Sequence, residues 1–225
     1  MTLDLRGFLD QLVQEGEMIK VSRMVDPKFE LTAVLRKVQK TVNKALFFER
    51  IRGHTMPVVS NILVSRKMIA LALNTSQDRI LEEWTKREMH RKPVKKVSDG
   101  PCKEVIVKGN NVDLSKLPIL THCEKDAGPY ITAGAIVFKK APEGRANASY
   151  NRMQLVSENK LRVRMMPPIS HLGIHHKKAE EKGKPLEAAV CIGNHPHIMF
   201  AAAAKIPIED DEFEFAGALR QRSIE

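Results

Sequence analysis

The stretch NASYNRMQLVSENKLRVRMM, residues 147–166, decides how the second half of this chain folds. Two alternating segments, NRMQLVS (151–157) and KLRVRMM (160–166), flank a short Glu158-Asn159 link. Alternation of apolar and polar residues is typical of half-buried strands, and a two-residue link is typical of a β-hairpin. The stretch therefore predicts a hairpin with an arginine-rich polar face.

That polar face admits two interpretations. Successive side chains of a strand point to opposite faces, so Arg152 and Gln154 share one face, and Arg162 and Arg164 lie on one face of the second strand. Such a face would suit an anionic ligand through charge-assisted contacts. An ordinary solvated strand face explains the same pattern, and alternation alone favours this plainer interpretation.

Upstream of the hairpin, the pattern predicts alternating helices and strands. The predicted elements are a helix between Asp4 and Gly16, a strand at 18–21, a helix at 29–41, strands at 45–51 and 57–63, and helices at 65–73 and 76–87. The lysine-rich, proline-containing segment 91–101 has few apolar residues, which is typical of a domain boundary. We therefore expect an N-terminal α/β domain over residues 1–100.

The remaining residues, 101–225, predict a second domain dominated by strands. Besides the hairpin, the predicted elements are strands at 103–109 and 129–140, a polar helix at 173–182, a buried-looking strand at 186–193, an alanine-rich helix after His197 and a helix at 211–219. This density of strands is typical of a barrel or a sandwich. The fold class that follows is α/β.

Composition indicates a soluble globular protein. The 225 residues are 43% hydrophobic and 28% charged, and no run of eighteen apolar residues exists. We therefore expect a cytoplasmic protein without a signal peptide or a membrane span. The three cysteines, Cys102, Cys123 and Cys191, lie far apart without a C-x-x-C pair, so we expect reduced, mostly buried thiols.

The net charge of +10 raises the question of nucleic-acid binding. Two basic patches exist, RKPVKK (91–96) and HHKK (175–178), but neither is interleaved with aromatic residues, which make up only 5% of the chain. Single-strand binding surfaces rely on aromatic stacking platforms. We therefore expect no nucleic-acid partner, and the charge indicates a solvated basic surface or an anionic small ligand.

Histidines form the only other candidate site. His171, His175 and His176 include a pair four residues apart, a spacing that can clamp a metal on a helix. The glutamate of a metalloprotease motif is missing, so a charged surface helix with incidental histidines explains His175 and His176 better. His195 and His197, which flank Pro196, are interpreted in the same way. Motifs of P-loop, Rossmann and α/β-hydrolase enzymes are absent from the sequence.

Several blocks together resemble the N-terminal half of the UbiD family of decarboxylases, which use prenylated flavin mononucleotide (prFMN). These blocks are DLRGFLDQLVQEGEMIKV (4–21), LPILTHCEKDAGPYITAG (117–134), NASYNRMQL (147–155), PLEAAVCIGNHP (185–196) and DEFEFAGALRQRSIE (211–225). The resemblance implies that residues 101–225 form part of a split β-barrel that binds the flavin, incomplete at its C-terminal end. It also implies reversible decarboxylation of aromatic or α,β-unsaturated carboxylic acids.

The resemblance further implies a divalent metal, typically Mn2+, that bridges the protein to the flavin phosphate, and it leaves open a K+ ion beside it. The family signature is an asparagine with an arginine five positions later, matched by Asn147 and Arg152. The implied metal contacts are Asn147, His171 and Glu225. Oxygen ligands of this kind suit manganese or magnesium.

Arg152 is implied as the catalytic arginine that orients the substrate carboxylate. The implied cofactor-binding residues are Asn147, Ser149, Tyr150, Asn151, Arg152, Arg164, Met165, Met166, Ser170, His171 and Glu225. The chain departs from the family at one position here, because many members have tyrosine directly before the arginine whereas this chain has Asn151.

Family members are about twice as long, and their catalytic acid follows the metal-binding glutamate. We therefore expect this chain to be the N-terminal portion of an enzyme, with a second chain or the rest of a longer polypeptide supplying the acid. The alternative is a non-catalytic subunit or fragment that binds flavin or assembles with a partner. Expected partners are a carboxylic acid substrate, a flavin prenyltransferase that supplies the cofactor, and further copies in a homo-oligomer.

Overall fold

The structure is a computed structural model that describes residues 4–140, 144–165 and 170–225. Seven α-helices are described: α1 (Leu5–Gln14), α2 (Glu30–Thr41), α3 (Arg66–Ala72), α4 (Ile80–Glu88), α5 (His171–Glu180), α6 (Pro196–Ala203) and α7 (Glu212–Arg220). Nine strands are described: β1 (Met18–Val21), β2 (Ala45–Phe48), β3 (Val58–Ser60), β4 (Tyr130–Ile131), β5 (Ala135–Lys139), β6 (Ala146–Tyr150), β7 (Met153–Ser157), β8 (Lys160–Val163) and β9 (Ala188–Cys191). The predicted α/β class is confirmed, and the described strands form three three-stranded sheets without a closed barrel.

The described residues group into two compact units. The first contains the residues up to Gln77 together with Asp99–Ile131 and Met153–Arg162. The second contains Asp78–Ser98, Thr132–Arg152 and Val163–Glu225. Since the chain passes between the two groups several times, the domain limits expected from sequence stay a prediction.

The first unit is built around the sheet β1-β2-β3, in which β2 pairs in parallel with β1 and antiparallel with β3. Its core consists of Leu46 and Phe48 of β2 with Val25, Leu31 and Ile51, and the apolar face of α2 packs on it. Asp4 caps α1 by accepting from Gly7 N at 2.9 Å, as its position before the apolar repeat predicts. Gly16 follows this helix at a φ of 68°, a conformation that glycine adopts without strain.

The predicted hairpin is present in the second sheet of the first unit, whose strand order is β4-β7-β8. Residues 129–140, predicted as one strand, are instead two strands in different sheets, β4 and β5. The strand predicted at 103–109 is wrong, since no described strand covers these residues. A strand-like sequence forms a strand only where a partner strand supplies hydrogen bonds, and no described strand pairs with this segment. Val105 and Ile106 are accordingly 81% and 62% exposed.

The second unit contains the sheet β6-β5-β9, and both neighbours of the central strand β5 run antiparallel to it. Ala135 and Ala148 pack with Ala202 of α6, and such small side chains allow a helix to lie close to a sheet. Trp84 of α4 makes edge-to-face contacts with Phe200 and Phe215 at centroid distances of 5.6 and 5.7 Å. These contacts hold α4, α6 and α7 together.

The burial predictions for β9 and for the cysteines are wrong. The strand β9 is apolar and was expected to be buried, yet Val190 and the adjoining Ile192 are exposed, because β9 lies at the edge of its sheet. Cys102 and Cys123 are exposed rather than buried. No disulfide links the cysteines of the described residues.

Among the helices that the structure describes, none is long and apolar enough to cross a membrane.

Candidate metal and cofactor site

The side chain of Asn147 lies at the centre of a buried polar cluster in the second unit. Asn147 occupies β6 opposite Phe138 of β5 and is 0% exposed. Its amide Nδ2 donates to Glu212 Oε1 at 2.6 Å and lies 3.1 Å from His171 Nδ1. One strand and two helices therefore bring an amide, a carboxylate and an imidazole into contact.

The two helices present their first residues to Asn147. His171 is the first residue of α5, and Ser170 caps this helix by accepting from Gly173 N at 3.1 Å. Glu212 is the first residue of α7, and Asp211 caps that helix by accepting from Phe213 N at 2.8 Å. The second oxygen of Asp211 accepts from Ala146 N at 2.9 Å, so the start of α7 is fixed against the start of β6.

Lys140, which directly follows β5, supplies the positive charge of the cluster. Its Nζ lies 3.8 Å from Glu212 Oε2 and donates to the backbone carbonyl of Asp210. Lys140 is 4% exposed and Glu212 is 3% exposed, so both charged groups are withdrawn from water. A buried ion is stabilised only when an opposite charge and hydrogen bonds compensate its lost hydration.

Burial also shifts the proton affinities of this cluster. Loss of hydration raises the pKa of Glu212 to about 7, although the nearby ammonium of Lys140 acts in the opposite direction. Burial lowers the pKa of His171 from its usual value, and the charge of Lys140 lowers it further. At neutral pH His171 is therefore an uncharged imidazole that can bind a cation.

Two buried oxygens of the cluster accept no hydrogen bond within the described residues, Asn147 Oδ1 and Glu212 Oε2. Such acceptors are rare inside proteins, and a bound ion is one of their common explanations. Together with the imidazole of His171, they form a donor set of two oxygens and one nitrogen that fits a divalent cation such as Mn2+. Across residues 4–140, 144–165 and 170–225 no three His, Cys, Asp or Glu side chains form a metal-binding group, and the third member here is an amide.

Of the three predicted metal contacts, the structure brings together Asn147 and His171. The carboxylate of Glu225 is exposed and lies 3.3 Å from Lys95 Nζ and 3.7 Å from Arg222. Sequence reasoning missed Glu212, which takes the third place beside Asn147. Its signal was the acidic residue directly after the helix cap Asp211, but a glutamate in the first turn of a helix is also what the helix dipole favours.

The predicted cofactor residues lie around β6 and after β8. Arg152 is exposed in the short link between β6 and β7. Beside it, Asn151 Nδ2 donates to Ser149 Oγ at 3.1 Å. The buried hydroxyl of Tyr150 has no hydrogen-bond partner in the described chain, and burial raises the pKa of Tyr150 to about 12. Arg164 is exposed and Met165 is half-buried, whereas Met166 lies outside the described residues.

The other histidines considered from the sequence as a candidate site form two pairs, His175 with His176 and His195 with His197. His175 was expected on a charged surface, but it is buried with its ring 5.4 Å from that of Phe138. His176 is half-buried. His195 caps α6, and its Nδ1 lies 2.9 Å from His197 Nδ1. Burial lowers the pKa of His197 to about 3, and the second cause is the neighbouring His195.

Family models match almost the whole chain. Residues 94–225 match the 3-octaprenyl-4-hydroxybenzoate carboxy-lyase Rift-related domain, and residues 9–88 match the N-terminal domain of the same carboxy-lyase.

Proteins of assigned activity and proteins of known structure are similar to this chain. The anhydromevalonate phosphate decarboxylase of Methanosarcina mazei is 37% identical over 220 residues, which are 98% of this chain and 49% of that relative. The UbiD-class enzyme HmfF from Pelotomaculum thermopropionicum, solved in complex with FMN, is 34% identical with a TM-score of 0.91 over 98% of this chain and 49% of that protein. An evolved dimeric form of HmfF in complex with prFMN is also 34% identical, with a TM-score of 0.92 over 99% of this chain and 52% of that protein. The chain thus spans about half the length of these relatives.

Proposed function

This chain belongs to the UbiD family, and we propose that it forms the metal-binding portion and part of the flavin-binding portion of a decarboxylase. The substrate class is an aromatic or α,β-unsaturated carboxylic acid, and the reaction is a reversible loss of CO2. The observation that carries the proposal is the buried contact of Asn147 with His171 and Glu212, which leaves two oxygens without a proton donor.

A cation in the site would be held by the side chains of Asn147, His171 and Glu212, with the amide of Asn147 presenting its oxygen in place of the Nδ2 that faces the other two groups. These side chains lie on β6 and at the first residues of α5 and α7, which are rigid elements with capped ends. Mn2+ is our first choice of ion, since the donor set combines hard oxygens with one imidazole. Such a cation would attract the negatively charged phosphate of a flavin mononucleotide.

The flavin supplies the electrophilic ring on which loss of CO2 becomes feasible. Support for a flavin comes from HmfF, which has been solved with FMN and with prFMN. In this chain, Ser149 and Tyr150 at the end of β6, together with Arg164 and Met165 after β8, are proposed to contact it. A flavin prenyltransferase would supply the prenylated form.

Arg152 is proposed to bind the substrate carboxylate. It follows Asn147 by five positions and is exposed, so its guanidinium is accessible to a ligand. The planar guanidinium forms two parallel hydrogen bonds with a carboxylate, which fixes the orientation of the bond that breaks. The acid that protonates the product carbon is proposed to come from the half of the UbiD polypeptide that this chain does not match, on the same chain or on a second one.

A second candidate function is that of a non-catalytic subunit that requires a partner chain. Exposed apolar residues favour it, namely Val105 and Ile106 in the first unit and Ile192, which is 56% exposed, in the second. Contiguous exposed apolar residues commonly mark sites where another chain packs. As such a subunit, the chain would bind the metal and assemble as a dimer or with a partner chain, and the catalytic residues would belong to the partner.

Native and denaturing mass spectrometry after coexpression with a flavin prenyltransferase tests the proposal. The decarboxylase is supported by an assembly whose mass includes prFMN, a divalent metal and a chain that carries the remaining half. A 25.4 kDa chain with metal but without flavin would favour the non-catalytic subunit. A chain that binds neither would contradict both functions.

A further inference from the structure

Lys140 is a buried cation that lies beside Glu212, one of the residues proposed to bind Mn2+. Its Nζ lies 3.8 Å from Glu212 Oε2 and donates to the carbonyl of Asp210. A lysine side chain is almost never fully buried unless its charge is compensated. A positive charge in this place opposes the binding of a second cation, so it is unfavourable for a site that binds metal alone.

The charges around Glu212 clarify the role of Lys140. Asp211 and Glu212 contribute one negative charge each, and Lys140 contributes one positive charge. The next carboxylate, Asp210, is paired with Arg91 at 3.0 Å. Glu209 acts electrostatically on His171, but it is exposed, so that water and salt screen its charge. The buried groups therefore carry a net charge of about −1, and a divalent cation would change it to about +1.

We propose that Lys140 couples the divalent cation to an anion, so that the site binds Mn2+ tightly only together with a phosphate group. This inference rests on the proposed function, in which Asn147, His171 and Glu212 hold the cation. With the ammonium present, the cation alone leaves an excess positive charge in a water-poor site, and the negative charge of a phosphate group offsets it. Without the ammonium, the cation alone neutralises the two carboxylates.

Lys140 is thus a positioning residue, because it acts on the ligand through Glu212 and through the net charge. The geometry also fixes it in place, since its donation to Asp210 O connects the end of β5 to the segment before α7. The consequence would be that the metal and the phosphate end of the cofactor enter the site as a pair.

Mn2+ titrations followed by electron paramagnetic resonance test the coupling, because free hexaaqua Mn2+ gives a direct signal. At pH 8 the wild-type chain should bind Mn2+ about tenfold or more tightly when inorganic phosphate is present. In Lys140→Met, Mn2+ alone should bind about tenfold or more tightly than in the wild type, and phosphate should add little. Lys140→Arg keeps the charge and should retain the phosphate effect.

Lys139→Met is the matched control, since Lys139 is the exposed neighbour at the end of β5 and should behave as the wild type. Circular dichroism establishes whether each variant folds. If Lys140→Met does not fold, the wild-type titration alone decides, since Mn2+ binding that is insensitive to phosphate overturns the coupling. A wild-type chain that binds Mn2+ in neither condition overturns the proposed metal site as well.

Discussion

The second unit contains two polar regions that differ in what fixes their side chains. In the buried region, Asn147 and Glu212 are held by mutual contacts, by helix caps and by the ammonium of Lys140. In the exposed region, Arg152 lies in a link between strands, and Glu225 forms ion pairs with partners that are themselves exposed. Exposed ion pairs contribute little to holding a geometry.

The chain's own contacts can therefore fix some functional groups but not others. A cation site needs donors fixed to within a fraction of an ångström, and only the buried region provides them. The exposed region offers charge without fixed geometry, so a substrate or further polypeptide must organise it.

Arg152→Ala should abolish decarboxylation in the complete assembly, by about 10³-fold, since a donor that acts on reacting charge is lost. Mn2+ binding should remain unchanged, because the buried cluster is intact. Steady-state kinetics and Mn2+ titration measure the two quantities. Arg152→Lys is the informative control, because it keeps the positive charge but cannot form the bidentate contact with the substrate carboxylate. Retained turnover in Arg152→Ala would remove its catalytic role.

Asn147→Ala should weaken Mn2+ binding by about 10- to 100-fold, because it removes a donor and leaves the carboxylate of Glu212 without its amide partner. Isothermal titration calorimetry gives the affinity directly. The exposed Asn159 in the hairpin link provides the matched control, and Asn159→Ala should bind Mn2+ as the wild type does. Equal affinities in the two variants would contradict the division into buried and exposed regions.

His197 should make the chain less stable in acid, since it is buried and burial lowers its pKa to about 3. The unfolded chain takes up a proton below the usual pKa of 6.5, whereas the folded chain does not, so stability is lost as the pH falls from 6.5 toward 3. Between pH 7 and pH 5 the loss due to His197 should be about 2 kcal/mol.

Urea unfolding of the wild type and of His197→Asn at the two pH values measures this contribution. The variant should lose about 2 kcal/mol less than the wild type over the same interval. His90→Asn, a change at an exposed histidine, should leave the wild-type difference unaltered. If His197→Asn shows the full wild-type loss, the buried histidine is not its source.

Val190→Ala should have the smallest effect, about 0.5 kcal/mol or less on the free energy of unfolding, because Val190 is exposed at a sheet edge. Chemical denaturation of the isolated chain measures it. A loss of about 2 kcal/mol or more would mean that this strand is buried in solution and that another copy or segment covers it.

Much of the fold could be predicted from local patterns. The apolar repeat after Asp4 gave a helix with the expected cap, and alternation gave the hairpin of β7 and β8. The segment 103–109 failed because its apolar, β-branched residues favour a strand only where a partner strand exists. The segment LEAAVCIG (186–193) was predicted to be buried for a related reason, because an apolar run does not reveal whether its strand lies at the edge of a sheet.

The site was predictable in part, through family resemblance rather than residue patterns. Asn147 and His171 were expected to meet, and they do. The contact between Glu212 and Asn147 was not predicted, because it depends on the packing of α7 against β6. These two elements are separated by more than sixty residues in sequence. The cap residue Asp211, which joins these elements, indicates only where the helix begins.

Whether Glu212 or Glu225 completes the metal site is decided by a Mn2+ titration of the wild type, Glu212→Gln and Glu225→Gln, followed by the electron paramagnetic resonance signal of free Mn2+. Glu212→Gln should weaken Mn2+ binding by about 100-fold or more, whereas Glu225→Gln should bind Mn2+ within about twofold of the wild type. Loss of binding in Glu225→Gln with unchanged binding in Glu212→Gln would contradict this expectation and would assign the third metal contact to the exposed glutamate.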